Sequence, residues 1–343
     1  MNRSRLHSLW NIAAALLACA GFASCTQDEL EEQGTPLPVG QYPLELTAGG
    51  LQAVATPAQP ATRGTMDGDW DGVANVWVKV NENERAMKYK VEASEDKRTA
   101  SLIPEVPLAN DDTPFWWQST AETKTVTAWA PSGYVLDEDF TLPEAWTEDD
   151  FAKYDIIGVR KDIQFTDDPK SLEFRHLMAK VVINLRRTDY LENAQKVDVQ
   201  LIGMYKKGRL EININQLKVS GLPDGGNPNI TPYLLPAENY EEVDFGNGPE
   251  TPFASYTALV IPMNYASTDV LQIKVDGATY MVTKDALGQG GTSDTVMVKY
   301  EAGKVTTINI TVKENKLDVT IDDTEKIGWG ENDKTGSGEV ELP

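Results

Sequence analysis

The sequence contains few residues of the types that catalyse reactions or bind metal ions. Its 343 residues include two cysteines, Cys19 and Cys25, and two histidines, His7 and His176. Beyond residue 25 the chain has no cysteine and one histidine, His176. This is too few for a structural zinc site, a disulfide framework or a Cys–His nucleophile. A Ser–His–Asp triad would have to use His176 alone. Because its sequence neighbours are largely apolar, we expect His176 to be a structural histidine with a hydrogen-bond partner.

Three local motifs resemble functional sites but depart from them at a key position. Residues 67–72 match the first half of a calcium loop, but its twelfth position, which needs a bidentate glutamate, is Val78. The glycine-rich stretch at 288–292 lacks the Lys-Ser/Thr pair of a phosphate-binding loop. Ser94 and Lys97 match S-x-x-K within a charged turn rather than a buried helix. The 53 acidic residues offer many carboxylate pairs, and none stands out as a glycosidase pair. We therefore predict no catalytic residue, no cofactor, no metal ion and no enzymatic activity.

The charge balance excludes one class of partner. Against 53 acidic residues stand 31 basic ones, for a net charge of −22. Such a surface repels phosphate backbones, so we expect no nucleic-acid binding. It also argues against direct docking on anionic lipid.

The N-terminus has the pattern of an export signal. Arg3 and Arg5 precede an apolar run that is too short to span a membrane. The run ends in small residues before Cys25, and an acidic stretch follows, as in a bacterial lipobox. We predict that residues 1–24 are a signal peptide and that Cys25 carries acyl chains, which give stable membrane anchoring. Cys19 is a second candidate, and ordinary signal cleavage is the alternative.

The body of the chain reads as β-strands. Period-2 runs rich in Val, Ile, Thr and aromatic residues recur between Gly-, Asn- and Asp-containing turns. One short helix is predicted at 144–152. Strands are predicted at 42–47, 73–80, 87–91, 124–130, 180–185, 197–202, 210–214, 256–261, 271–275, 279–282, 296–300, 305–312 and 317–321. Many short strands with polar turns predict an all-β protein of more than one β-sandwich.

Composition suggests where these sandwiches begin and end. Residues 25–63 read as an acidic tether with a strand-like segment, followed by an N-terminal β-sandwich at 64–170. A polar turn at 167–170 separates it from a C-terminal β-sandwich with a C-terminal extension at 171–343.

Aromatic residues offer one alternative function. Phe115, Trp116 and Trp117, with Trp129 and Trp146, could stack on sugar rings. Tryptophans in strands more often belong to the core. A glycan-binding surface lipoprotein of two β-sandwiches is therefore the second hypothesis.

Arg63 is the only basic residue between Leu46 and Asp69, within a Pro-, Ala- and Thr-rich stretch. An exposed segment of this kind suits an arginine-specific protease. Cutting between Arg63 and Gly64 would free the upstream strand-like segment at 42–47. A sheet that loses a strand has an apolar groove and two unpaired edges, which favour a replacement strand from another molecule.

These features resemble the fimbrillin-like (Mfa-like) family of type V pilins. Several segments carry the resemblance in order along the chain: the lipobox with its acidic continuation, 61–65, 172–181, 260–263, 301–304, 309–312, 317–320 and 327–329.

The resemblance implies two transthyretin-like, Greek-key β-sandwich domains in tandem. It also implies lipoprotein export to the outer membrane and cell surface, cleavage after Arg63, and assembly into a fimbria that supports adhesion. The partners implied are other fimbrial subunits, an arginine-specific protease, the outer membrane and a host or bacterial surface glycan or protein.

In polymerising members a strand from the next subunit's C-terminal region fills the groove. Here that region consists of a Gly-rich linker at 330–338 and a short alternating strand at 339–343, with Val340 and Leu342 as its apolar side chains. The sequence is compatible with a stalk, a tip or an anchor subunit of the fimbria.

Overall fold

The computed structural model describes residues 34–51, 70, 72–82, 85–105, 115–223, 228–245, 248–264, 269–283, 299–314, 316–322 and 335–341. Within these ranges the protein is almost entirely β-structure. The strands, in chain order, are β1 (Leu46–Gly49), β2 (Asn75–Val80), β3 (Met87–Ala93), β4 (Ala100–Pro104), β5 (Thr123–Ala130), β6 (Asp139–Thr141), β7 (Ile157–Gln164), β8 (Ser171–Glu173), β9 (Arg175–His176), β10 (Ala179–Leu185), β11 (Val197–Leu201), β12 (Lys207–Asn213), β13 (Gln216–Leu222), β14 (Tyr233–Leu234), β15 (Val243–Asp244), β16 (Pro249–Glu250), β17 (Ala254–Val260), β18 (Met263–Asn264), β19 (Asp269–Val275), β20 (Ala278–Thr283), β21 (Lys299–Tyr300), β22 (Val305–Lys313), β23 (Lys316–Asp322) and β24 (Thr335–Glu341).

The largest sheet has eight strands in the order β8-β1-β4-β3-β2-β5-β7-β9. Its strands β2 and β3 alternate between buried and more exposed side chains, as half-buried strands do. Strand β1 comes first in the chain but lies inside the sheet, between β4 and β8.

The second large sheet has six strands in the order β14-β17-β10-β22-β23-β24. Its centre is rich in β-branched residues, which pack well on a pleated surface. Strands β10 and β22 run parallel, and β24 pairs antiparallel with β23 at the edge. The smaller sheets are β11-β19-β20, β13-β12-β6, β15-β16 and β18-β21.

Two short α-helices occur in the described ranges, α1 (Glu148–Tyr154) and α2 (Asp189–Glu192), with a 3₁₀ turn at Ala237–Asn239. Helix α1 begins after Thr147, whose backbone N–H donates to the Asp150 carboxylate at 2.9 Å, as in a capping box. The sequence predicted this helix a few residues too early. No helix in the described residues is long and apolar enough to cross a membrane.

Buried side chains form two hydrophobic clusters. The N-terminal cluster contains buried residues between Leu44 and Phe174 and underlies the eight-stranded sheet. The C-terminal cluster contains buried residues between Trp129 and Val319. The prediction of an all-β, β-sandwich protein is confirmed. The tandem arrangement of two domains and the boundary after residue 170 stay predictions. The eight-stranded sheet includes β8 and β9, which begin just beyond that boundary.

Candidate functional site

Strand β1 is the part of the described chain on which the strand-exchange hypothesis depends. It runs antiparallel to β4, with Leu46 opposite Leu102, and parallel to β8, with Ala48 opposite Leu172. The Thr47 N–H donates to the Lys170 carbonyl at 3.1 Å. Main-chain pairing on both sides makes β1 an internal strand, whose removal would create two edges at once.

The side chains of this segment are part of the N-terminal cluster. Leu44 and Leu46 are 4% and 3% exposed, and Ala48 and Leu51 are fully buried. Burying each leucine contributes about 1.5–3 kcal/mol. The intervening Glu45 is exposed. The segment therefore presents apolar side chains to the core and polar ones to solvent, which is the pattern of a strand with one buried face.

Strand β1 ends at a turn that requires glycine. Gly50 has a φ of +86°, and a Cβ there would lie 2.6 Å from the Phe174 carbonyl oxygen. The Phe174 N–H donates to the Gly49 carbonyl at 2.9 Å. This close approach of two backbones places Leu51 in the core, and a larger residue at position 50 would prevent it.

The chain before β1 pairs with a different segment. The Leu37 N–H donates to the Gln118 backbone carbonyl at 2.8 Å, and the Leu44 N–H donates to the Phe115 backbone carbonyl at 2.9 Å. In return, the Trp117 N–H donates to the Tyr42 carbonyl at 2.9 Å. The predicted strand at 42–47 is thus shifted to 46–49, and its first residues belong to this second pairing.

The sequence did not identify the two partners of β1. Strands β4 and β8 were missing from the predicted set, although Ala100 and Leu102 alternate with polar residues after the Ser94–Thr99 turn. In that turn the Ser94 hydroxyl lies within hydrogen-bond distance of the Asp96 carboxylate and the Thr99 carbonyl, and it accepts from the Thr99 N–H. Ser94 thus has a turn-forming role here.

Replacing Leu46 with alanine should destabilise the uncleaved protein by about 2–5 kcal/mol, because it leaves a cavity under an internal strand. Urea unfolding followed by tryptophan fluorescence measures this loss. The matched control is Val39→Ala, since Val39 is 98% exposed in the same segment and should change stability by less than about 0.5 kcal/mol. Equal effects at the two positions would contradict the burial of β1.

The C-terminal strand β24 is longer than predicted and begins earlier. It covers Thr335–Glu341, so its first four residues come from the predicted linker at 330–338. Its seven residues pair antiparallel with β23, and Val340 lies opposite Leu317 in the register. In the monomer, therefore, this segment completes the chain's own six-stranded sheet.

Several predicted sites lie outside the described residues. These are the lipidation site Cys25, the cleavage site at Arg63 and Gly64, and Leu342. The glycine-rich stretch at 288–292 and the acidic residues of the calcium-loop motif also lie there. In the described ranges, no group of three or more His, Cys, Asp or Glu residues could hold a metal ion.

The aromatic residues considered for sugar binding are mostly core residues. Trp117, Trp129 and Trp146 are 1%, 2% and 4% exposed, so none of them offers a ring face to a sugar. Trp117 packs edge-on against Phe165, with ring centroids 5.7 Å apart. Of the predicted set only Trp116 is half-buried. The glycan-binding hypothesis stays a prediction, and among the tryptophans it now depends on Trp116.

His176 is buried and paired, as expected of a structural histidine. Its Nδ1 lies 2.7 Å from Oδ1 of Asp155, which follows α1. Both side chains are at most 4% exposed. The pair joins β9 to the end of the helix, so it fixes the chain where it passes from the eight-stranded sheet toward β10.

Replacing Asp155 with alanine should cost about 3 kcal/mol, because it leaves the buried imidazole without this partner. Asp155→Asn retains an acceptor oxygen and should cost less than half as much. The control is Asp139→Ala, which breaks the exposed ion pair with Arg209 and should cost at most about 1 kcal/mol. Thermal unfolding of the three variants tests the ranking, and a loss at Asp155 no larger than at Asp139 would contradict it.

Comparison with known proteins identifies the family to which the chain belongs. The sequence profile of the fimbrillin-like family matches residues 62–325. A candidate cell adhesion protein from Bacteroides uniformis ATCC 8492 has a crystal structure similar to this one, with a TM-score of 0.53 and 13% identity over 84% of this chain and 99% of that one. The fimbrial anchor protein Mfa2 from Porphyromonas gingivalis aligns with a TM-score of 0.35 and 10% identity over 84% of this chain and 100% of that one. No curated protein sequence matches the chain.

The family match covers well over half of the sequence, and the Bacteroides uniformis structure has the same fold. The chain belongs to the fimbrillin-like family. The resemblance deduced from the sequence is thereby confirmed. Membership in this family supports a role as a fimbrial protein of the cell surface.

Proposed function

We propose that the protein is a non-enzymatic structural subunit of a cell-surface fimbria that supports adhesion. It is exported as a lipoprotein anchored to the outer membrane through Cys25. An arginine-specific protease cuts it after Arg63, and subunits then join by strand exchange. The observation that carries this proposal is the internal position of β1, upstream of Arg63 in the chain and between β4 and β8 in the sheet.

Cleavage after Arg63 would change how β1 is held. In the intact chain β1 is covalently continuous with β2, so it rebinds whenever it opens. After cleavage only main-chain pairing and the burial of its apolar side chains would hold it. A strand from another subunit could then compete for the same place, because β4 and β8 would need a partner for their main-chain groups.

The candidate replacement is the C-terminal strand of the next subunit. Strand β24 is at the edge of its sheet, so it can leave without separating other strands. Leaving costs its pairing with β23, and inserting between β4 and β8 provides pairing on two sides instead of one. Because the displaced β1 loses its own two rows with β4 and β8, the exchange as a whole gains no row of main-chain hydrogen bonds, and apolar burial has to favour the entering strand.

The N-terminus of the protein isolated from cells tests the proposal. A chain that begins at Gly64 identifies a processed fimbrial subunit. A blocked N-terminus with acyl chains on Cys25, established by mass spectrometry, identifies a subunit that keeps its lipid and acts as an anchor. A chain that begins at Met1 in the cytoplasm would contradict both export and processing.

A further inference from the structure

A cavity of about 520 Å³ lies beside β1. Its lining combines apolar residues of the two segments, Leu44, Leu46, Leu102 and Ile103, with the charged residues Glu45, Asp168 and Lys170. Ile103 is 39% exposed, so part of this apolar lining faces solvent. The volume is within the range of about 300–1,000 Å³ that is typical of ligand clefts, so the cavity has room for several apolar side chains.

The cavity exists because β1 and β4 separate before β4 ends. Their register pairs Leu46 with Leu102 and, if continued, would place Glu45 opposite Ile103. Instead, the Leu44 N–H donates to the Phe115 carbonyl at 2.9 Å. Pro104 at the end of β4 has no N–H to offer to a neighbouring strand. The two segments therefore diverge and leave between them a cavity that is lined in part by apolar side chains.

We propose that this cavity is the first docking point for the C-terminal strand of a second copy of the chain, which then displaces β1 step by step. The inference rests on the proposed function, namely strand exchange at β1. It adds where the exchange begins and in which direction it proceeds, from the Leu46 end of β1 toward Gly49.

An existing cavity lowers the barrier to exchange. Complete release of β1 before another strand enters would expose its leucines to water and leave the facing edges of β4 and β8 unpaired. An apolar side chain that enters the cavity is buried before any residue of β1 has left. The backbone behind it can then pair with β4 as β1 peels away.

The sequence of the C-terminal segment fits this role. Leu44-Glu45-Leu46 and Val340-Glu341-Leu342 share the pattern apolar–acidic–apolar. In the first triplet the leucines are buried and Glu45 is exposed. A strand with the second triplet can place its apolar residues toward the cavity while its acid stays in water. A small apolar ligand would fill the volume but could not pair with the backbone of β4.

The rate of peptide capture tests the inference. The full chain is cut with an arginine-specific protease and mixed with a fluorescent peptide that corresponds to residues 335–343. Step-by-step displacement predicts a capture rate that rises with peptide concentration to values above the rate at which β1 dissociates on its own. Release of β1 before binding predicts a rate that reaches a plateau at the rate of β1 dissociation.

Variants that fill the cavity provide the second measurement. Ile103→Trp should slow capture at least tenfold without changing the final extent, and Ser101→Trp, on the same lining, should act alike. Ile214→Trp is the control, because Ile214 is an equally apolar but 93% exposed residue at a distant hairpin tip. A peptide with serine at the positions of Val340 and Leu342 should be captured at least tenfold more slowly.

A plateau at the rate of β1 dissociation, or equal rates for the wild type and both cavity variants, would overturn the cavity as the docking point while leaving strand exchange intact. Equal capture of the serine-substituted peptide would overturn the C-terminal segment as the occupant. No capture by any cleaved protein, wild type included, would overturn the proposed function and this inference together.

Discussion

An arginine-specific protease should convert the monomeric protein into polymers, whereas the Arg63→Lys variant should stay monomeric under the same treatment. The expected difference is at least tenfold in the polymer fraction after equal digestion. The reason is that β1 is an internal strand of the eight-stranded sheet, and only a break in the chain between β1 and β2 lets another subunit take its place. Size-exclusion chromatography and electron microscopy measure the polymer, and N-terminal sequencing of the product verifies cleavage before Gly64.

The Arg63→Lys variant also supplies the control. Lysine retains the charge and nearly the length of the side chain, so the fold should not change. A lysine-specific protease should restore polymerisation of this variant, because the requirement is the cut and not the arginine. Polymerisation of uncut Arg63→Lys to the wild-type extent would exclude cleavage as the trigger.

The second large effect is expected at the other end of the chain. A variant that lacks residues 335–343, once cleaved, should not polymerise, because it retains a site for a strand but has no strand to give. Added to wild-type subunits in increasing amounts, it should shorten the fibres, since each variant copy ends the fibre that it joins. Fibre length distributions from electron microscopy measure both results.

Point variants separate the loss of side chains from the loss of length. Replacement of both Val340 and Leu342 with aspartate should have nearly the effect of the deletion, because a buried charge in the apolar site costs several kcal/mol. Replacement of Glu339 and Glu341 with glutamine keeps the apolar pattern and should leave polymerisation within twofold of the wild type. Normal fibres from the aspartate variant would exclude this segment as the donor.

The sequence predicted the strands that have strong alternation and missed those whose stability comes from tertiary pairing. Strands β5, β10 and β22 are rich in valine, isoleucine and threonine, and their predicted bounds differ from the observed ones by one residue at most. Strand β7 was missed because Arg160, Lys161 and Asp162 interrupt its apolar residues. It is held instead by pairing with β5 along its whole length.

The same reasoning explains the error at β1. The sequence placed the strand at 42–47 because tyrosine and leucine mark it there, whereas the residues that pair on both sides are 46–49. Ala48 and Gly49 are small and carry little hydrophobic signal, although Ala48 is fully buried and both residues pair with β8. The cavity could not be predicted at all, because it depends on the separation of β1 from β4 at Leu44.

The two strands that matter most belong to different sheets, β1 to the eight-stranded sheet and β24 to the six-stranded one. A contact made from β24 of one copy to the β1 position of the next joins two unlike surfaces. In such a heterologous contact, every copy donates a strand at one surface and accepts a strand at another. Repeating the contact builds a closed ring if the rotation between copies closes on itself, and an open helical filament if it does not. If subunits join by the proposed exchange, the placement of β1 and β24 gives the growing fibre a direction, with two chemically distinct ends.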